Sequence, residues 1–335
     1  MEWGLIGAST IASQFMIEAI RAQDGHSIAS VHSSSAERGQ AYAENHDIPQ
    51  NTTDLAAIFS NPEIGAVYIS TTNEKHKEEA LAAISAGKHV MCEKPLAMSV
   101  ADAIEMVNAA RDAGLVFATN HHLRNAGSHL KIKELIQSGR IGTVQSIRVA
   151  HAVYLPKNLQ GWRIDNASAG GGVIPDIVVH DADTVRFYLE EDPIQVTAVE
   201  RSESMGQGVE DSVMSIWTMP SGVMIQTHES FTHQFATTGI EVYGTEGAIV
   251  AKNVMTQNPV GEITLINKEG NHPIEFSDHN LYNRSMSLFA QALKGTGQPS
   301  ATGLDGIKSL AVAAAVKTAA VTGKAVDVDY GDLRT

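Results

Sequence analysis

A chain of 335 residues, 43% of them hydrophobic and 19% charged, has globular composition and more length than one domain needs, since domains typically take about 100–200 residues. Its 24 basic and 38 acidic side chains leave a formal charge of −14, a field that repels nucleic-acid backbones and anionic lipid surfaces yet permits a local basic pocket for an anionic ligand. The single cysteine, Cys92, excludes a disulfide framework and a multi-cysteine metal site, no apolar run approaches the ~20 residues of a membrane span, and residues 1–7 lack the basic start of a signal peptide; a reducing, cytoplasmic setting is expected.

In chain order, residues 3–6 read as a short buried strand and 10–22 as a helix. Strands at 27–32, 66–70, 88–92 and 115–119 follow, separated by helices at 36–45, 74–86 and from Ser99 onward. Ser99 is placed to cap that last helix, with Asp102 three residues on, and Gly114 to end it. Strands spaced by helices imply a parallel sheet covered on both faces, so residues 1–120 are expected to form a doubly wound α/β domain. Beyond Asn120 the texture changes. A helix at 127–137 leads to longer alternating strands at 144–153, 195–201, 213–219, 223–231 and 240–243, punctuated by glycine-rich joints at 170–172 and 244–247. An alanine-rich helix at 305–322 ends at Gly323. Residues 121–335 therefore read as an α+β domain with a mostly antiparallel open sheet and helices on one face. No repeat or low-complexity linker separates the two domains, which suits an active site in a crevice between them.

The first strand runs into Gly7-Ala8-Ser9-Thr10-Ile11-Ala12, a variant of the G-x-G-x-x-G/A fingerprint with Ser9 in the second glycine place. Gly7 permits the sharp turn, Ala12 is small enough for close helix–strand packing, and the following helix offers free N–H groups to a pyrophosphate. The alternative is a tight turn of small residues; its place after the first strand of a βαβ unit favours a dinucleotide and a Rossmann-type domain. Where NAD enzymes carry an acid for the ribose 2′-hydroxyl, this chain has Ser33, Ser34 and Ser35, with Arg38 next. Hydroxyl donors and a guanidinium suit a 2′-phosphate, so NADP(H) is the expected cofactor. Serines that merely cap a helix, beside a solvated arginine, are the other reading.

Three later segments carry chemistry. Lys94, in Cys92-Glu93-Lys94-Pro95, ends a parallel strand on the ligand-binding edge and can donate to a carbonyl oxygen as charge develops there. The polar loop Thr71-Thr72-Asn73-Glu74-Lys75-His76 ends another strand and is expected to line the cofactor cleft. Asp176 and His180, four apart in a helix that follows Gly170-Gly171-Gly172, are neighbours on one face within an apolar run. A carboxylate beside an imidazole suits proton delivery near neutral pH. A structural pair, and a metal site built from Asp176, His180 and Asp181, are the alternatives; no further ligand cluster supports a metal, and none is expected. His121 and His122 are adjacent and point differently.

Together the Gly7–x–Ser9–x–Ile11–Ala12 loop, the loop from Thr71 to His76, Glu93-Lys94-Pro95, and Asp176 with His180 resemble the Gfo/Idh/MocA oxidoreductases over essentially the whole chain. The runs Gly4 to Thr10, Asn120 to Asn125, His151 to Pro156, Leu159 to Arg163 and Asn253 to Gln257 are similar to a bacterial sugar-ketone reductase branch of that family, in which Ser9 is usual. The resemblance implies NADPH-dependent reduction of a small neutral sugar ketone. It puts catalysis at Lys94, Asp176 and His180. It puts cofactor contacts at Gly7, Ala8, Ser9, Thr10, Ile11, Ser33, Ser34, Arg38, Thr71, Thr72, Asn73, Glu74, Lys75, His76, Glu93, Lys94, Asn120, Trp162 and Arg163, with Tyr282 in a less similar stretch. Pro175 beside Asp176 is unusual for the pattern. A sugar or inositol dehydrogenase of the same family, and a non-catalytic NADP sensor on the same scaffold, remain open, as does the choice between monomer and homodimer.

Overall fold

The computed structural model describes residues 1–202 and 204–333, so the last two positions of the expected second domain lie outside it. Strands β1 (Glu2–Ile6), β2 (Ser27–His32), β3 (Gln50–Thr52), β4 (Ile64–Ile69), β5 (His89–Cys92) and β6 (Phe117–Thr119) form a six-stranded sheet in the order β3-β2-β1-β4-β5-β6. Every pair in it is parallel. The nearly continuous burial of β1 and β4 is the pattern of strands covered by helices on both faces. Strand order reverses between β1 and β4, and their carboxyl ends are where doubly wound sheets bind ligands.

The connecting helices follow local chemistry. Ala36–Asn45 is capped by Ser35, whose Oγ accepts from the Arg38 N–H. Val100–Asp112 is capped by Ser99, whose Oγ accepts from the Asp102 N–H and donates to the Asp102 carboxylate. The helix after β1 differs from expectation in containing a π-turn, Ala12–Met16, ahead of Ile17–Arg21. The expected helix at 74–86 is a 3-10 turn, Asn73–Lys75, followed by His76–Ser85. Strand β3 and the helix Leu55–Phe59 were not anticipated.

The compact unit built on this sheet spans Met1–His121 and also takes in Tyr282–Ile307 and the segment from Gly331. From the helix Leu281–Leu293, Phe289 packs on Trp3 with ring centroids 5.4 Å apart, and Tyr282 stacks on Phe15 at 4.7 Å. Thr302 bridges to Ala118, and the Thr119 N–H donates to the Ala301 carbonyl, so the returning chain extends the β6 edge.

The second unit, His122–Leu281 with Lys308–Tyr330, is built on a nine-stranded sheet. Its strands are β7 (Val144–Ala152), β8 (Gln195–Arg201), β9 (Ser212–Thr218), β10 (Met224–Ser230), β11 (Gly239–Gly244), β12 (Gly247–Lys252), β13 (Glu262–Asn267), β14 (Gly270–Ile274) and β15 (Val326–Asp327). They lie in the order β14-β13-β12-β11-β7-β10-β9-β8-β15, with only β7 and β10 parallel. Alternation turns Val213 and Trp217, Ile225, and Ile147 and Val149 into one core with the helices Gly127–Gln137, Val179–Leu189 and Gly303–Thr322. The opposite face is open and exposes Val199, Met214, Ile216 and Met224.

Candidate active site

In the first unit the phosphate loop sits at the point where strand order reverses. Gly7 has φ +107°, and a Cβ there would lie 3.1 Å from the Ser70 carbonyl group at the end of β4, so the chain passes through a gap only glycine fits. Ser9 uses its hydroxyl twice: Oγ accepts from the Ala12 N–H and lies 2.7 Å from Ser70 Oγ. It thus ties the two strand ends together and caps the helix. Tyr42 donates to the Ser9 carbonyl, fixing the loop from the side of the Ala36–Asn45 helix.

At the end of β2, Ser33 is buried and its Oγ accepts from Arg38 Nε at 3.1 Å, while Ser34 and Arg38 face solvent. Ser35, not Ser33, is the helix cap, and Ser33 orients the guanidinium. Burial lowers the pKa of neighbouring His32, with the charges of Lys75 and Arg38 pushing the same way and a Thr53 backbone bond and the Asp54 charge opposing.

The other strand ends supply the rest of this cluster. Glu93 is buried, and its Oε1 accepts from Tyr68 Oη at 2.5 Å and from Asn120 Nδ2 at 2.6 Å; burial raises its pKa. Asn120 Oδ1 is fully buried and has no partner among the described residues. This open acceptor and the Gly7 passage are the features that fit a dinucleotide. Lys94, half-buried, follows Glu93. His76 is completely buried, with Nδ1 2.9 Å from the Pro95 carbonyl and Nε2 3.3 Å from the Thr71 carbonyl. Its ring braces the Thr71 loop against the Lys94 loop, and burial lowers its pKa. Thr72 Oγ1 donates to Glu74 and Thr71 Oγ1 to Glu79, so hydroxyls expected to face a ligand are partly held within the loop.

In the second unit, the entry to Asp176 is a π-turn, Ile174–Val178, which runs into Val179–Leu189. The wider turn corrects the simple picture of Asp176 and His180 stacked at α-helical spacing. Pro175 sits at the start of the turn, where a missing N–H costs no helix bond. Gly172, at φ +116°, leaves room for Glu210: a Cβ there would meet Glu210 Oε1 at 2.3 Å. That same oxygen accepts from the Ile174 N–H. Asp176 Oδ2 lies 3.5 Å from Arg163 Nε, and the Arg163 guanidinium lies over the Trp162 ring at 4.7 Å. Trp162, Arg163 and Asp176 are therefore one cluster, although 13 positions separate Arg163 from Asp176 in the sequence.

His180 is buried beside His122, edge to face at 4.7 Å, with His151 at 6.5 Å. His151 Nδ1 lies 2.7 Å from Asp181 Oδ1. The sequence assigns His122 and His151 no functional role, and it offers Asp181, the carboxylate partnering His151, only as a ligand in the alternative metal site. A signal existed in β7, where His151 continues the inward positions of Ile147 and Val149 and so breaks an apolar pattern. Arg124 pairs with Asp183 on the helix that carries His180, and both are buried. Among the described residues no group of three or more His, Cys, Asp or Glu side chains is arranged to hold a metal ion.

The chain is similar to known proteins over most of its length. Residues 1–121 match the oxidoreductase family with an NAD-binding Rossmann fold, and residues 129–250 match the Gfo/Idh/MocA C-terminal domain. The chain is 54% identical to 1,5-anhydro-D-fructose reductase of Ensifer adhaerens over 98% of this chain and 99% of that one. It is 26% identical to myo-inositol 2-dehydrogenase of Thermotoga maritima, covering 79% of this chain and 80% of that one. Among solved structures, aldose-aldose oxidoreductase of Caulobacter crescentus superposes with a TM-score of 0.89 at 25% identity, over 98% and 99% of the two chains.

Proposed function

The chain belongs to the Gfo/Idh/MocA oxidoreductase family, and from that premise we propose that it reduces the ketone of 1,5-anhydro-D-fructose to 1,5-anhydro-D-mannitol with NADPH. The observation that carries this reading is the full-length likeness to the Ensifer reductase, with Lys94, Asp176 and His180 all present. Gly7, Ala8, Ser9, Thr10 and Ile11 hold the pyrophosphate. Ser33 aims Arg38 at the 2′-phosphate, with Ser34 and Lys75 adding donors. The remaining Thr71 loop, Glu93, Asn120, Trp162, Arg163 and Tyr282 complete the cofactor set, His76 through the loops it joins. A reduced nicotinamide, when bound, supplies the hydride for the ketone carbon.

The protein's own part is to orient the sugar and govern the proton. Lys94 donates to the ketone oxygen and stabilises the charge that develops there. His180 delivers the proton, and Asp176 accepts from a ring hydroxyl of the substrate. None of these groups calls for a carboxylate or phosphate on the substrate, so a neutral polyhydroxy ketone suits the chemistry. Cys92 is buried, and among the described residues no helix is long and apolar enough to cross a membrane. A panel of neutral sugar ketones, osones, aldoses and inositol, assayed with NADPH and NADH, tests the reading. The expected result is efficient turnover of 1,5-anhydro-D-fructose with NADPH; preferential turnover of inositol or an aldose would contradict it.

A further inference from the structure

The mostly apolar inner face of the second unit's sheet carries a polar stripe. Ser215 on β9, Thr227 and Glu229 on β10, and His151 on β7 all occupy inward, core-facing positions of the strand alternation. Glu229 and His151 are register partners across the parallel β10–β7 pair. Asp181, in the first turn of the Val179–Leu189 helix, comes to the same place: its Oδ1 is 2.7 Å from His151 Nδ1, and its carboxyl lies close enough to that of Glu229 to raise the pKa of the latter. Both acids are 0% exposed.

Ionised carboxylates only accept hydrogen bonds. Asp181 Oδ2 and Glu229 Oε1 are buried oxygens with no donor among the described residues. One proton shared between these carboxyls removes both deficits at once. Two adjacent buried carboxylates would otherwise repel each other without solvent to screen them. The proton belongs on Glu229. Asp181 already makes the 2.7 Å contact with the imidazole, whereas the side chain that bonds the Glu229 carboxyl is the uncharged Thr227, whose Oγ1 donates to Glu229 Oε2 and lies 2.7 Å from Ser215 Oγ. Burial and the Asp181 charge hold the Glu229 carboxyl well above the usual carboxylate range.

We propose that Glu229 is a neutral acid that donates to Asp181, and that this pair positions the His151 ring beside His180. Glu229 is thus a positioning residue, acting through Asp181. Its place in the reaction rests on the reading of His180 as proton donor; its protonation does not.

Glu229→Gln mimics the protonated acid, since its amide donates to Asp181 and its carbonyl accepts from Thr227. Glu229→Leu removes both bonds. Infrared spectra of the intact protein in light and heavy water are expected to show a buried carboxylic-acid C=O band, shifted by deuteration and absent from Glu229→Gln. Glu229→Leu is expected to lower kcat on the ketone about tenfold, the worth of one hydrogen bond, with KM for NADPH unchanged, and Glu229→Gln to recover most of that loss. A wild-type spectrum without a band that Glu229→Gln removes would overturn the proposal, as would Glu229→Gln falling as far as Glu229→Leu. The infrared comparison decides even where Glu229→Leu fails to fold. It needs no turnover, so a band in a protein inactive on the ketone panel supports the acid pair while the functional reading alone fails.

Discussion

Ser33 shows how little separates two cofactor choices. Its buried hydroxyl receives the Arg38 guanidinium, and an aspartate at the same position would capture that cation and repel a 2′-phosphate. Ser33→Asp is expected to raise KM for NADPH about ten- to a hundredfold, the worth of one charge-assisted hydrogen bond, and to leave KM for NADH nearly unchanged. Equal saturation of the wild type by both cofactors would contradict this. His180 makes a second test. His180→Ala is expected to lower kcat by ~10²–10⁴, the share general acid catalysis usually supplies, with NADPH binding measured by fluorescence titration intact. Wild-type turnover in that variant, with chemistry rate-limiting, would move the proton donor elsewhere, Lys94 first. These residues were legible in the sequence because each breaks a local pattern: serines where an acid is usual, and a histidine within an apolar run. His151 breaks its pattern too, but its meaning depends on Asp181, 30 positions away, and no spacing rule joins a strand residue to a helix residue at that distance.

The helix His76–Ser85 carries its own pH dependence. Glu79 is buried beneath the Thr71 loop, and burial lifts its pKa to about 7, against the opposing bond from Thr71. The folded protein therefore holds this proton to higher pH than the unfolded chain, where a glutamate titrates near ~4.3. The group's stabilising contribution is present below that pH and is lost as pH rises through about 7, by up to about 3 kcal/mol. Urea unfolding of wild type and Glu79→Gln at pH 5 and pH 8 measures it: the wild type should lose more stability between the two than the variant does. Parallel losses would show that Glu79 titrates as an ordinary surface acid. The strands and helices read correctly were those with strong periodicity or caps, such as Ala36–Asn45 behind Ser35 and β8 with its alternation. Strand β3 escaped because Gln-Asn-Thr has neither apolar alternation nor much burial, its place being set by pairing with β2. Strands β12 to β14 escaped for another reason: their identity comes from antiparallel pairing along a growing sheet edge. The π-turns are invisible to a period-based reading, which assumes α-helical spacing throughout.

At the scale of the whole chain, the change of texture after residue 120 marks one division, whereas the compact units interleave. Tyr282–Ile307 packs into the dinucleotide unit, supplying Phe289 to Trp3, Tyr282 to Phe15 and the bridge at Ala118. Such a return depends on contacts between distant parts of the chain, and local composition carries no trace of it. The charge of −14 likewise says nothing of how Arg38 is held against the buried Ser33 hydroxyl. What joins these levels is one claim: a hydride goes from NADPH to the ketone carbon of a neutral anhydro sugar while a side chain of this protein protonates its oxygen. The most direct measurement uses NADPH deuterated at its transferable position with 1,5-anhydro-D-fructose, followed by NMR of the product. The expected product is 1,5-anhydro-D-mannitol with deuterium on the former ketone carbon. Formation of the glucitol epimer, product without deuterium, or no NADPH oxidation would contradict it.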